Sequence, residues 1–130
     1  MNIYDENRNL LAIVIKSNSS DVEKNFHTDH NSEFQIASFN LKKDDVIQRH
    51  YHEKQERTIF STNEVIVLQS GKMTLTLYDI NLNKVEEITL EGGDMVALFN
   101  GGHEIYIDEQ TQFIEVKQGP YDEEKDKTRF

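Results

Sequence analysis

The sequence predicts an all-β fold, a sandwich or barrel of short antiparallel strands. Three observations lead there. Short β-rich runs recur with turn residues between them, residues 72–78 alternate cleanly between apolar and polar side chains, and no segment carries a long helical period. Many short strands at regular spacing are the pattern of closed or face-packed sheets.

Residues 10–16, rich in Leu, Ile and Val, form the first predicted strand. Residues 17–32 are polar and open on Ser17-Asn18-Ser19-Ser20-Asp21, which is turn chemistry; a loop with room for one helical turn is expected. Residues 33–41 follow as a strand, with Phe34, Ile36, Ser38 and Asn40 opposite Gln35, Ala37, Phe39 and Leu41. Residues 42–45 make a charged turn, residues 46–52 a strand, and residues 53–63 a charged loop or small hairpin. Residues 64–69 are strongly β, and Ser70-Gly71 turns the chain into residues 72–78. There Met73, Leu75 and Leu77 face one way and Thr74, Thr76 and Tyr78 the other. Asn81-Leu82-Asn83 turns again, residues 85–90 pair back, and Glu91-Gly92-Gly93-Asp94 makes a further turn. Residues 95–99, 103–108 and 112–117 are the last predicted strands. Pro120 comes after them, where its missing N–H does no harm. The charged residues 121–130 are expected to run over the surface or into a partner chain.

With 130 residues and 15.2 kDa, one domain is expected: N-terminal strands in 1–43, a core in 44–117 and a tail in 118–130. A net charge of −10 argues against broad contact with nucleic acid or an anionic membrane, both of which need a cationic surface, and leaves room only for local basic patches. No cysteine is present, so disulfides and thiolate metal sites are excluded. Residues 1–6 are polar and acidic rather than a secretory signal, and the apolar run 10–15 is too short to span a bilayer. A cytoplasmic protein is the expectation.

The strongest chemical signal is His50-Tyr51-His52. On a strand, two histidines one residue apart point to the same face, as two ligands of one metal ion must. Neutral imidazole suits Zn, Fe, Ni and Cu, and a glutamate oxygen also suits Mn. Glu64 opens the next apolar run, with Gly71 after six intervening residues. Gly92-Gly93-Asp94, a short apolar strand, and Phe99-Asn100-Gly101-Gly102 then lead into His103.

This order, over residues 44–117, resembles the two signature motifs of the cupin family. The first motif carries His-x-His, then Glu, six residues and Gly; the second carries Gly, a strand, a Pro/Gly turn and His. The resemblance implies a double-stranded β-helix, or jelly-roll barrel, that holds a divalent transition metal (Fe, Zn, Mn or Ni) on His50, His52, Glu64 and His103. The chain departs from the pattern in four places. The gap from His52 to Glu64 is long, and by the usual short spacing Glu56 would be the carboxylate instead; Glu64 is preferred because its strand and Gly71 follow. Leu98 and Asn100 stand where Pro and Gly are usual, Asp44 where the first motif opens with Gly, and Ile107 where the second closes with Asn. The end of the chain, from Ile114 on, is similar to small bacterial cupins, some associated with surface-sugar biosynthesis.

Two function classes follow. One is a metal-dependent isomerase, epimerase, lyase or dioxygenase acting on a small polar metabolite such as a sugar derivative. The other is a non-catalytic metabolite-binding module. A homodimer is expected from the edge strands of so small a barrel. His27 and His30 are expected at the surface. Arg49, Lys54 and Arg57 can hold an anionic substrate or simply offset Glu53 and Glu56 on a solvated loop. Tyr51 and Tyr106 are expected to pack on the face opposite the ligands.

Overall fold

In the computed structural model, which describes residues 1–19 and 22–130, the chain is all-β, with antiparallel sheets and no α-helix among the described residues. Ser20 and Asp21, in the predicted loop after the first strand, lie outside the described residues. The strands in chain order are β1 (Asn2–Tyr4), β2 (Leu10–Ile15), β3 (Lys24–Phe26), β4 (Ala37–Phe39), β5 (Glu64–Ser70), β6 (Lys72–Tyr78), β7 (Lys84–Glu91), β8 (Met95–Leu98), β9 (Gly102–Ile107) and β10 (Gln112–Lys117). No helix among the described residues is long and apolar enough to cross a membrane. The chain divides into two compact units, Met1–Asn18 with Ser61–Phe130, and Ser19–Phe60.

The first unit holds a five-stranded sheet, ordered β1-β2-β8-β5-β10, and a three-stranded sheet, ordered β7-β6-β9. Their inner faces share one core. Leu11, Ile66, Leu68 and Val96 from the larger sheet meet Met73, Leu75, Leu77 and Leu90 from the smaller, all 2 % exposed or less. The alternation expected in β6 is therefore real, because one face of a half-buried strand must be apolar. In β2 the whole run Leu11 to Val14 is buried, so both faces of the strand are covered and its near-continuous apolar sequence is accounted for. Asp94 pins the turn before β8 to the end of β2. One carboxylate oxygen accepts from the Ser17 N–H at 3.0 Å; the other meets Lys16 Nζ at 2.7 Å and the Glu91 N–H at 2.9 Å. Asp79 organises the expected Asn81-Leu82-Asn83 turn by accepting from the N–H groups of Asn81 and Asn83.

The second unit carries the β3–β4 pair, in register Lys24 with Phe39 and Phe26 with Ala37. Here the structure differs from expectation. A strand forms inside the stretch expected to be a loop, and the strand expected over 33–41 shortens to three residues. Residues 46–52 form no strand. The physical reason lies in the pattern itself. Val46, Gln48, His50 and His52 alternate with Ile47, Arg49 and Tyr51, so neither face is apolar enough to offset the entropy of ordering the backbone. Tyr51 is 80 % exposed, which corrects its expected packing role.

Candidate functional site

The geometry of the first unit brings two of the four expected ligands together. Glu64 begins β5, and the Asn63 N–H ahead of it donates to Gln118 Oε1 at 2.6 Å, tying the start of β5 to the end of β10. Along β5, Glu64 shares a face with the buried Ile66 and Leu68, so its carboxyl points between the sheets. His103 lies on β9 opposite the buried Leu77, and paired residues project to the same side; its imidazole also points inward. The turn into β9 depends on Gly101, whose φ of 74° is left-handed and whose missing Cβ would fall on the Tyr78 carbonyl oxygen. His103 Nε2 and Glu64 Oε2 lie 3.6 Å apart, with side chains 33 % and 18 % accessible.

The same register adds two residues that sequence reasoning missed as site residues. On β10, Glu115 pairs with Ile66 and Lys117 with Glu64, so both face the same gap. Their spacing of two on a strand was the available signal, but which strand they would face cannot be read without the register. Burial first, and then a hydrogen bond with Glu115 and the repulsion of its charge, push the Glu64 carboxyl up to about 7. The hydrogen bond from Glu64 holds Glu115 below the usual carboxylate range, with Lys117 adding to the effect from 3.4 Å. Below about pH 7 the proton shared by the two carboxyls therefore resides on Glu64. Burial lowers the His103 pKa, so the neutral imidazole is favoured beside them.

These side chains line an open cavity of about 940 Å³, together with residues 126–130 of the C-terminal segment. The Phe130 ring meets Tyr78 edge-on, with centroids 5.2 Å apart, in a space that a Cβ on Gly102 would fill. The tail expected to run over the surface therefore folds against the cavity.

His50 and His52 belong to the second unit, are exposed, and hold their rings 5.3 Å apart. His50 Nδ1 lies 2.8 Å from the Gln48 carbonyl oxygen. Glu56 is exposed in the same irregular stretch. A metal ion fits the Glu64–His103 pair, since two bonds of roughly 2.0–2.2 Å can converge across 3.6 Å. No group of three or more His, Asp or Glu is gathered closely enough to hold an ion among the described residues.

Other candidates take simpler roles. His27, expected at the surface, is half-buried, with Nε2 2.9 Å from Ser38 Oγ, and burial lowers its pKa. His30 is exposed beside the Phe26 ring. Arg49, Lys54 and Arg57 are exposed. Tyr106 does lie on the face of β9 opposite His103, but at 68 % exposure it is not packing. No protein-family model matches the chain, and no curated protein or solved structure is significantly similar to it.

Proposed function

We propose that the chain is a cupin-like protein that takes a small polar metabolite, such as a sugar derivative, into the cavity of its first unit and works on it by proton transfer. The carrying observation is the inward-facing trio of Glu64, Glu115 and His103: a protonated carboxyl, its ionised partner and a basic imidazole within one cavity. A shared-proton carboxyl pair beside a neutral imidazole places an acid and a base in one site, which isomerase and epimerase chemistry needs. Asp44, standing where the first cupin motif has Gly, adopts a φ of 73°, the conformation a glycine there would serve.

Glu64 is placed to donate a proton to a substrate oxygen, and His103 to accept one from carbon or hydroxyl. The cycle closes when the proton taken by His103 passes back to Glu64, 3.6 Å away, where the hydrogen bond and charge of Glu115 hold it. A divalent transition metal held by Glu64 and His103 would supply Lewis acidity to the same site.

The test is solvent-deuterium incorporation by the purified protein into a panel of sugar phosphates and nucleotide sugars. Incorporation that falls about a hundredfold or more in Glu64→Gln and His103→Ala supports the enzyme. Binding without exchange, lost in the same variants, leaves the binding module. No binding of any panel member overturns both. For the metal, elemental analysis should give stoichiometric metal in the parent and loss in His103→Ala; equal, near-zero content after reconstitution sinks it. Sedimentation analysis checks the homodimer, and cell fractionation the cytoplasmic setting.

A further inference from the structure

The cavity carries a charge pattern that the acid–base trio does not use. The chain has ten more acidic than basic side chains, so cations have ample partners. Lys16 meets Asp94, Lys72 meets Glu91, Lys84 meets Glu87, Lys117 meets Glu115 and Lys125 meets Asp122, all within 4.0 Å. Lys127 and Arg129 are not in such pairs, and, unlike the other unpaired cations among the described residues, they line the cavity. Among the described residues neither has a carboxylate within ion-pair distance, and the Lys127 ammonium lies 6.0 Å from the centre of the Tyr121 ring. The Lys127 charge also favours the deprotonated forms of Glu64, Glu115 and His103 alike, so its ammonium acts on the whole trio. Next to it, Asp126 Oδ2 is buried without a hydrogen-bond partner, though it lines the same cavity. A buried acceptor left unpaired is destabilising unless a donor reaches it.

We infer that the cavity takes a metabolite with an anionic group, phosphate or carboxylate, held by Lys127 and Arg129, and a hydroxyl or N–H donor that satisfies Asp126. The inference rests on the cavity being the ligand site proposed above. Arg129 suits either anion, because its planar fork pairs two donors with two oxygens. Both cations lie on the C-terminal segment rather than on a strand, so anion preference is separable from the trio on β5, β9 and β10.

The experiment uses the full chain and four probes of similar size: glucose 1-phosphate, glucuronate, glucose and glucosamine. Affinities are measured by calorimetry, and the His103 imidazole resonance reports binding at the trio. The expected result is about tenfold tighter binding of one or both anions than of glucose, with a His103 shift. Phosphate alone winning assigns a phosphorylated metabolite; both winning assigns any metabolite with a single anionic group. The K127A/R129A double variant should bind all four probes at the glucose level and keep the parent's melting temperature. Equal binding of glucose, tightest binding of glucosamine, an unaffected double variant, or no binding of any probe overturns the inference. Glucose binding that is lost in Glu64→Gln and His103→Ala but kept in the double variant overturns the anion preference alone and leaves the ligand cavity standing.

Discussion

His103 and the His50–His52 pair are the same residue type held by very different means. His103 stands on β9, hydrogen-bonded along β6, with the buried Leu77 opposite and Ile105 two residues on packed against the core. His50 and His52 stand in a stretch with no strand, beside exposed Val46, Ile47 and Tyr51. Residue type and spacing identify both as candidates. Only a strand with an apolar face fixes where an imidazole points, because burying that face is what offsets the ordering of the backbone.

The widest separation between the two regions should appear in stability. Leu75→Ala, in the shared core, is expected to cost about 2–5 kcal/mol in chemical denaturation, whereas Ile47→Ala should stay within about 0.5 kcal/mol. A comparable cost at Ile47 would mean that residues 46–52 are packed in solution and would break the contrast. Asp94→Ala should cost less than the core deletion, about 1–3 kcal/mol, by leaving the Ser17 and Glu91 N–H groups without their acceptor. Hydrogen exchange at those two amides should speed up, and unchanged exchange would deny Asp94 its pinning role.

A subtler effect concerns pH. Glu64 is raised from 4.5 to about 7 in the folded state, so the fold binds more protons than the unfolded chain between those values. Stability from this group is therefore full below about 4.5 and declines as pH rises through about 7. Glu115, lowered in the fold, acts oppositely and loses its contribution only on acidification below the ordinary carboxylate range. Thermal melts at about pH 5 and pH 8 should show Glu64→Gln faring better than the parent by a few degrees on going to pH 8, since His103 and His27, lowered in the fold, add stability as pH rises in both proteins. An equal change in both proteins would remove Glu64 as the titrating group. The smallest effect is expected of Phe130→Ala, about 0.5 kcal/mol for an exposed edge-on contact with Tyr78, with the Tyr78 resonances shifting as the direct readout.

The sandwich was legible where local pattern and tertiary burial agree. β6 and β10 fall on the expected residues, and β5, β7, β8 and β9 within one residue at each end. β1 and β3, three residues each, were missed, since so short a run has no detectable period. Residues 46–52 alternate in residue type as a strand does but form none, because neither face is apolar. Of the site, Glu64 and His103 were visible through motif spacing. Glu115 and Lys117 were not, since their meeting with Glu64 is a matter of β5–β10 register. Lys127 and Arg129 looked like an ordinary charged tail.

The backbone amides of Ser17 and Asn63 flank the stretch between the two parts of the first unit, and each is tied to the sandwich by a side chain, Asp94 and Gln118. The departure and return of the chain are thus moored independently of what lies between. Such a scaffold accepts changes of length in the intervening stretch cheaply, because closing a longer loop adds only about 0.6 kcal/mol per doubling. Residues 19–60 are accordingly the place where an inserted segment should add little to the cost of closing the chain between Ser17 and Asn63.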